Sequence, residues 1–280
     1  MVFSSVAQKC GWGIATFFSL VGVALSAFEQ SPYFTTLAEF YFRPSYSYRY
    51  YPDINRGFNP CNYSSHDHLF DVNLGVRFLP NWEAQAEIDF ATTRAMSFGL
   101  RRTGLQVRYL FLDDVAGDPV SLVAGAQVFY VPTRNLRDVS SPYHAQGNAE
   151  LGISIGKEID RWDHWIAQVY TFLGLGIANR GFPWARCLVV STFQWKKRHR
   201  VCLFGEGYFG FGNRDRVNVR RFNGYAKIEH HSIDIGLRYS YVFLIWGSLG
   251  MQYAYRVYAH AFPERAHTLT LEYNLPFSIF

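Results

Sequence analysis

The chain has 280 residues, 49% of them hydrophobic and only 18% charged, with a formal net charge of +5. That much apolar material with so small a net charge excludes a disordered chain. A mean hydropathy of −0.07 without long apolar runs excludes a bundle of membrane helices. The unusual feature is the aromatic load, 25 Phe, 19 Tyr and 7 Trp, and its placement decides the class.

Residues 1–27 read as a secretory signal peptide. Lys9 supplies a positive start, Gly11 to Leu25 is uncharged and mostly apolar, and Ala24, Ser26 and Ala27 are the small residues that suit cleavage after Ser26 or Ala27. An uncleaved helical anchor is the competing reading. Residues 28–34 are expected to be a short periplasmic segment ahead of a body over 35–280. Cys10 precedes the apolar stretch and is not placed as a lipoprotein cysteine. Cleavage leaves Cys61, Cys187 and Cys202, an odd number. If Lys196 to His199 closes a hairpin, Cys202 faces about residue 193, ~20 Å along a strand from Cys187, too far for a disulfide. The basic run Lys196 to Arg200 stands beside no zinc-ligand spacing, basic helix or phosphate-binding glycine loop. It reads as a solvated turn, so no nucleic-acid partner is expected.

From residue 69 the chain alternates with period two. Phe70, Val72, Leu74, Val76 and Phe78 interleave with Asp71, Asn73, Gly75 and Arg77. After Pro80-Asn81, the run Trp82 to Phe90 interleaves with Glu83, Gln85, Glu87 and Asp89. The runs 146–155 and 233–241 repeat the pattern. Successive strand side chains point to opposite faces, so each run has one apolar and one polar face. A soluble sandwich and a membrane barrel both produce this.

Four features favour the barrel. The runs are about 11–13 residues long, against ~5–6 for ordinary strands and ~9–11 for a tilted membrane strand. Export is expected, and a closed barrel is the one β structure that satisfies its backbone in lipid. Trp82, Trp162, Trp165, Trp184, Trp195 and Trp246 sit at strand ends, as two interfacial girdles would require. The chain also ends Thr268-Leu-Thr-Leu-Glu-Tyr-Asn-Leu-Pro-Phe-Ser-Ile-Phe280. In that ending and in its overall pattern it resembles Gram-negative outer-membrane β-barrel proteins, at class level. The resemblance implies outer-membrane lipid and the barrel-assembly machinery as partners, with Phe280 as the assembly signal. Here the apolar set Leu269 to Ile279 lies one residue out of step with that terminal Phe, and Pro276 removes a ladder donor.

The segments are 35–50, 69–79, 82–92, 99–112, 119–131, 145–156, 164–177, 185–195, 200–211, 219–230, 232–244, 247–258 and 268–280. That is thirteen, whereas bacterial barrels are normally even. The fault is expected in 219–258, and the reading is an all-β, transmembrane, antiparallel up-and-down barrel of about twelve strands, with ten or fourteen as alternatives. Long connections such as 51–68 and 132–144 belong outside, short ones in the periplasm.

The polar face carries both signs. Asp71, Glu83, Glu87, Asp89, Glu150, Glu206, Glu229, Asp234 and Glu272 are its acids. Arg77, Arg102, Arg108, Arg186, Arg221, Lys227, Arg238 and Arg256 are its bases. Acids at Glu83 to Asp89 face bases at Arg102 and Arg108 on the next strand, which fits a pore's transverse field or a salt-bridged wall. The leading expectation is a pore for passive permeation of small solutes or ions. The alternatives are a closed structural or surface-interaction barrel presenting loops 51–68, 132–144 and 259–267, and a rim-sited hydrolase. Ser64 to His68, Ser140-Ser141 with His144, and His230 to Ser232 would be the rim groups, but sequence neighbours do not show a nucleophile–base geometry. No metal is expected at His66 and His68, since two ligands are too few, and no cofactor is implied.

Overall fold

A computed structural model describes residues 28–60, 62–161, 164–243 and 246–278. Twelve strands account for the body: β1 (Phe40–Tyr51), β2 (Ser65–Leu79), β3 (Trp82–Thr93), β4 (Met96–Leu112), β5 (Ser121–Tyr130) and β6 (Gly147–Arg161), then β7 (Trp165–Ala178), β8 (Trp184–Trp195), β9 (His199–Phe211), β10 (Glu229–Val242), β11 (Ser248–His260) and β12 (His267–Phe277). Each pairs antiparallel with its neighbour in sequence. β12 returns to β1 and closes the barrel. Closure leaves no strand edge unpaired.

The polarity is inverted relative to a soluble core. On β2, Phe70 and Leu74 are exposed while Asp71 and Asn73 are buried. On β3, Ile88 is exposed while Glu83, Glu87 and Asp89 are buried. The apolar face therefore points outward all round, where lipid must meet it.

The parity error lies at 219–230, which forms no barrel strand. Residues 212–228 are a long loop that contains a two-residue strand, Val217–Asn218, and a single 3-10 turn, Val219–Arg221. Its buried apolar residues, Val217, Phe222, Tyr225, Ala226 and Ile228, follow no period of two, and Gly224 adopts φ +81°, so no strand register is sustained. Arg221, Lys227 and Glu229, expected to face the lumen, are instead exposed to solvent.

The long connections 52–64, 131–146, 179–183, 212–228 and 261–266 gather at one end of the barrel, the extracellular end for this class. The turns 80–81, 113–120, 162–164, 196–198 and 243–247 lie at the other. Trp82, Trp165, Trp195 and Trp246 all fall at the short-turn end. Trp82 packs edge-on against Tyr109 and Trp195 stacks on His199. Trp184 corrects the girdle expectation. It is 2% exposed, it points inward, and its Nε1 donates to Glu150 at 2.9 Å. A strand-end Trp has a polar handle that serves a buried carboxylate as well as a headgroup. Trp162 and Phe280 lie outside the described residues, as do residues 1–27.

A second correction concerns 28–34. These residues do not sit in the periplasm. They run back from the start of β1 into the barrel, where Phe28 is 3% exposed.

Candidate functional site, an occluded lumen

The interior wall begins with the charge ladder of β3 and β4. Register places Glu83 opposite Arg108 and Asp89 opposite Arg102. Arg108 bonds Glu83 at 2.7 Å, and Arg102 bonds Glu87 and reaches Asp89 at 3.5 Å. A bulge between Asp89 and Phe90 turns Arg101 inward as well, and it contacts Asp89 at 3.4 Å. Two consecutive residues facing one way break strand alternation, so the pattern hides Arg101. Further round, Arg186 bridges Glu150 at 3.2 Å and Glu206 at 3.1 Å, Arg256 bonds Asp234 at 2.7 Å, and Arg238 lies 3.6 Å from Glu272. Arg77 sits at the periplasmic rim, where it donates to the carbonyls of Pro80 and Thr35.

The wall of β1 escaped the alternation reading. Its outward face carries Tyr46, Tyr48 and Tyr50 instead of aliphatic residues, so the two faces read alike. Arg43 and Arg49 point inward from it. Arg43 bonds Glu29 at 2.7 Å, and Arg49 bonds Asp67 at 2.7 Å and the Ser140 carbonyl at 2.9 Å.

Asp71, Glu87 and Asp89 bring carboxylate oxygens within 4.8 Å of one another, all buried. Arg101 and Arg102 already provide the positive charge that three crowded carboxylates require.

Residues 28–34 run inside the periplasmic half of this lumen, while Thr36 to Ala38 are exposed. The Glu29 amide donates to Gln85 at 2.9 Å, the Gln30 carbonyl accepts from Ser154 at 2.6 Å, and the Ser31 carbonyl accepts from Arg108. Phe28 lies under the Arg102 guanidinium, 5.9 Å from ring centroid to Cζ. Two wall glycines make the room. A Cβ at Gly104 would come within 2.8 Å of Phe28 Cζ, and one at Gly156 within 2.8 Å of Pro32. Contacts this close admit only hydrogen at those wall positions.

The extracellular end is crossed by a cap built from four loops. Tyr51, Ile54, Tyr63, Val139, Phe222, Tyr225 and Phe262 form one buried apolar cluster. Beneath it His144 and His230 approach at 3.4 Å between their Nε2 atoms, walled by Trp184 and Tyr208. Burial, aided by neighbouring His230, holds the loop residue His144 well below the ordinary histidine pKa. Asp138 in the same cap is pushed up, by burial and then by the Asp67 carboxylate.

The serines expected near the rim histidines do not meet them. Ser140 Oγ and Ser141 Oγ both donate to Asp138, at 2.7 and 3.4 Å. His66 and His68 face outward from β2 and pair with the hydroxyls of Tyr48 and Tyr46 at 2.6 and 2.7 Å. Asp67 between them points inward. Cys187 and Cys202 are both free thiols.

Between the N-terminal segment and the cap lies a cavity of about 190 Å³ bordered by Glu29, Arg43, Asp71, Arg102, Arg238 and Glu272. Sites for drug-sized ligands are larger, roughly 300–1,000 Å³. This cavity has room for a cluster of waters.

No known protein family matches the sequence, and no curated relative does either. Solved structures match the fold. The COG4313 outer membrane channel from Pseudomonas putida F1 superimposes with a TM-score of 0.59 at 10% identity, over 87% of this chain and 97% of that one. The NanC porin gives 0.51 at 10% identity, over 82% of this chain and 97% of that one. With its closed wall, inverted polarity and these neighbours, the chain has the fold of outer-membrane β-barrels, with twelve strands.

Proposed function

We propose that this protein is a gated channel for passive passage of small solutes or ions, and that residues 28–37 are its removable obstacle. The observation that carries the reading is a polar, charge-lined lumen filled on its periplasmic side by chain that is not part of the wall. Twelve strands stand between the roughly eight whose interior side chains can fill and the sixteen that leave a wide channel, so occupancy of the lumen decides conduction. Arg102 and Arg108 then act twice, neutralising Glu87 and Glu83 and holding Phe28 and Ser31. That the two fold neighbours are a channel and a porin supports the reading.

The test is planar-bilayer recording of the folded intact protein beside a form in which the leader is joined directly to Ala38. The intact protein is expected to conduct rarely and the shortened one far more. If the shortened barrel stays silent even with loop 133–142 trimmed, the second reading takes over. That reading is a closed structural or surface-interaction barrel, and the apolar cap across the outer mouth is what favours it.

A further inference from the structure

We propose that the extracellular loop 212–228 is a binding surface for an acidic polysaccharide. The inference is independent of conduction. The loop carries Arg214, Arg216, Arg220, Arg221 and Lys227, all exposed, against one acid, Asp215. Asp215 is already engaged by Arg56 at 2.9 Å, the one ion pair on this loop among the described residues. The lumen arginines show the contrasting arrangement. Arg49, Arg102, Arg108, Arg186 and Arg256 each touch a carboxylate. Positive charge is thus balanced where it is buried and left unbalanced where it faces the outside.

The bases are also held in place. The Val217 amide donates to the Arg56 carbonyl and the Arg220 amide to the Asn59 carbonyl, both at 3.2 Å. The Gly224 amide donates to the Leu136 carbonyl at 2.7 Å, and the Asn218 side chain caps the turn that carries Arg220 and Arg221. Phe222, Tyr225 and Ile228 anchor the loop in the cap core. A loop that served only solubility would not need so fixed a platform, and like charges held together repel until an anion joins them.

The third observation selects the partner's chemistry. Phe58 is 40% exposed and pairs in register with Asn218, so an exposed apolar residue sits on the strand paired with the stretch between Arg216 and Arg220. Guanidinium forks match carboxylates in bidentate fashion, and the C–H face of a sugar ring packs on an aromatic face. Together they fit a chain of uronic acid residues. A single-stranded nucleic acid would call for successive stacking rings, whereas the rings of this loop, Phe222 and Tyr225, are buried in the cap and Phe58 comes from the neighbouring connection 52–64. Headgroup phosphates are less well placed, because the loop crosses the mouth to pair with Gly57–Phe58.

The experiment uses the intact folded protein in detergent, freed of lipopolysaccharide. Short alginate oligomers are titrated calorimetrically, with neutral dextran of similar length as the control. Alginate is expected to bind saturably and more weakly as salt rises, and dextran not at all. Replacing Arg216, Arg220 and Arg221 together by Ser should weaken binding about tenfold or more, while the same three changed to Lys, which keep the charge but lose the bidentate fork, should restore only part of it. Phe58→Ala should weaken alginate by about threefold and leave inorganic triphosphate unaffected. Heat-modifiable migration verifies folding of each variant. The proposal fails if alginate does not bind at low salt or if the triple Ser variant binds like the parent. It fails equally if a DNA oligonucleotide of matched charge, or a vesicle containing lipopolysaccharide, displaces alginate completely at lower concentration. Bilayer conductance should be the same in all variants, which keeps this result separate from the channel reading.

Discussion

Two bodies occupy the barrel, and they are tied to it in different ways. The extracellular cap is apolar. Tyr51, Tyr225, Ala261 and Phe262 are at most 1% exposed, and every loop that contributes is tethered to the wall at both ends. The periplasmic filler is one extended segment that, among the described residues, joins the wall only at Phe40. Polar bonds from Glu29, Gln30 and Ser31 hold it, with buried Phe28 and ring contacts of Tyr33 and Phe34. A hydrogen bond given up to water costs only ~0.5–1.5 kcal/mol net. Uncovering apolar surface costs ~25 cal/mol for every Å². On the channel reading proposed above, the segment is the part that leaves, since its apolar contacts come from one strand of chain, and the cap, whose apolar contacts come from four tethered loops, is the part that stays.

The largest expected effects come from removing one body while keeping the other. Joining the leader to Ala38 takes away the segment and should raise bilayer conductance many-fold, with the loops still protected from added protease. Phe262→Ala should do the reverse. Phe262 packs on His230 at 5.5 Å, on Tyr225 at 4.9 Å and under Arg256 at 4.7 Å. Truncating a buried Phe costs ~3–5 kcal/mol. Limited proteolysis should then cut the loops of folded protein, with conductance little changed while residues 28–37 remain. Equal responses of the two variants in both measurements would erase the distinction between segment and cap.

A smaller effect concerns pH and belongs to the cap alone. His144 is neutral in the folded state because burial holds its pKa well below 6.5. In the unfolded or opened loop it takes up a proton near 6.5, so the opened state binds more protons below that value. Cap stability that is full above pH 6.5 is therefore lost as pH falls toward the folded pKa. Asp138 acts in the opposite sense. Its raised pKa makes the folded cap bind a proton first as pH falls toward 3.8. Loop proteolysis at pH 7.5 and pH 5.5 should show faster cutting at the lower value, and His144→Phe should flatten the difference. An unchanged difference in that variant would remove His144 as the cause.

What the sequence disclosed follows from where a pattern can be carried. Alternation runs through β2, β3, β6 and β10, so the class and the facing of the acids Glu83 to Asp89 by Arg102 and Arg108 were legible, while the thirteen segments it gave came to twelve only through the even number normal for such barrels. Leu74 out and Asp71 in is a statement that each hairpin repeats. The rest lacked a repeating signal. Arg101 is turned inward by a bulge that no local residue announces. The two faces of β1 are nearly equally polar, which concealed Arg43 and Arg49. Trp184 shares its strand-end position with the outward tryptophans, and its partner Glu150 is 34 residues away. Residues 28–39 show no period at all, because an extended segment held by main-chain groups and by wall glycines needs none.

The finest test isolates one contact of the segment. Glu29 Oε2 accepts from Arg43 at 2.7 Å, and Glu29 Oε1 also accepts from the Ser31 amide at 2.9 Å. Glu29→Gln keeps the shape and an acceptor oxygen but removes the charge from a pair whose side chains are 12% and 28% exposed. A partly exposed pair of this kind contributes ~1 kcal/mol, which is about a fivefold change in an equilibrium. The segment should leave the lumen about five times as often, read as opening frequency at constant single-channel conductance. A change in conductance rather than in frequency would place Glu29 in the conducting path itself and not on the movable segment. High salt separates the two further. It should raise opening frequency in the parent by weakening the pair and have less effect in Glu29→Gln, where no ion pair remains to screen.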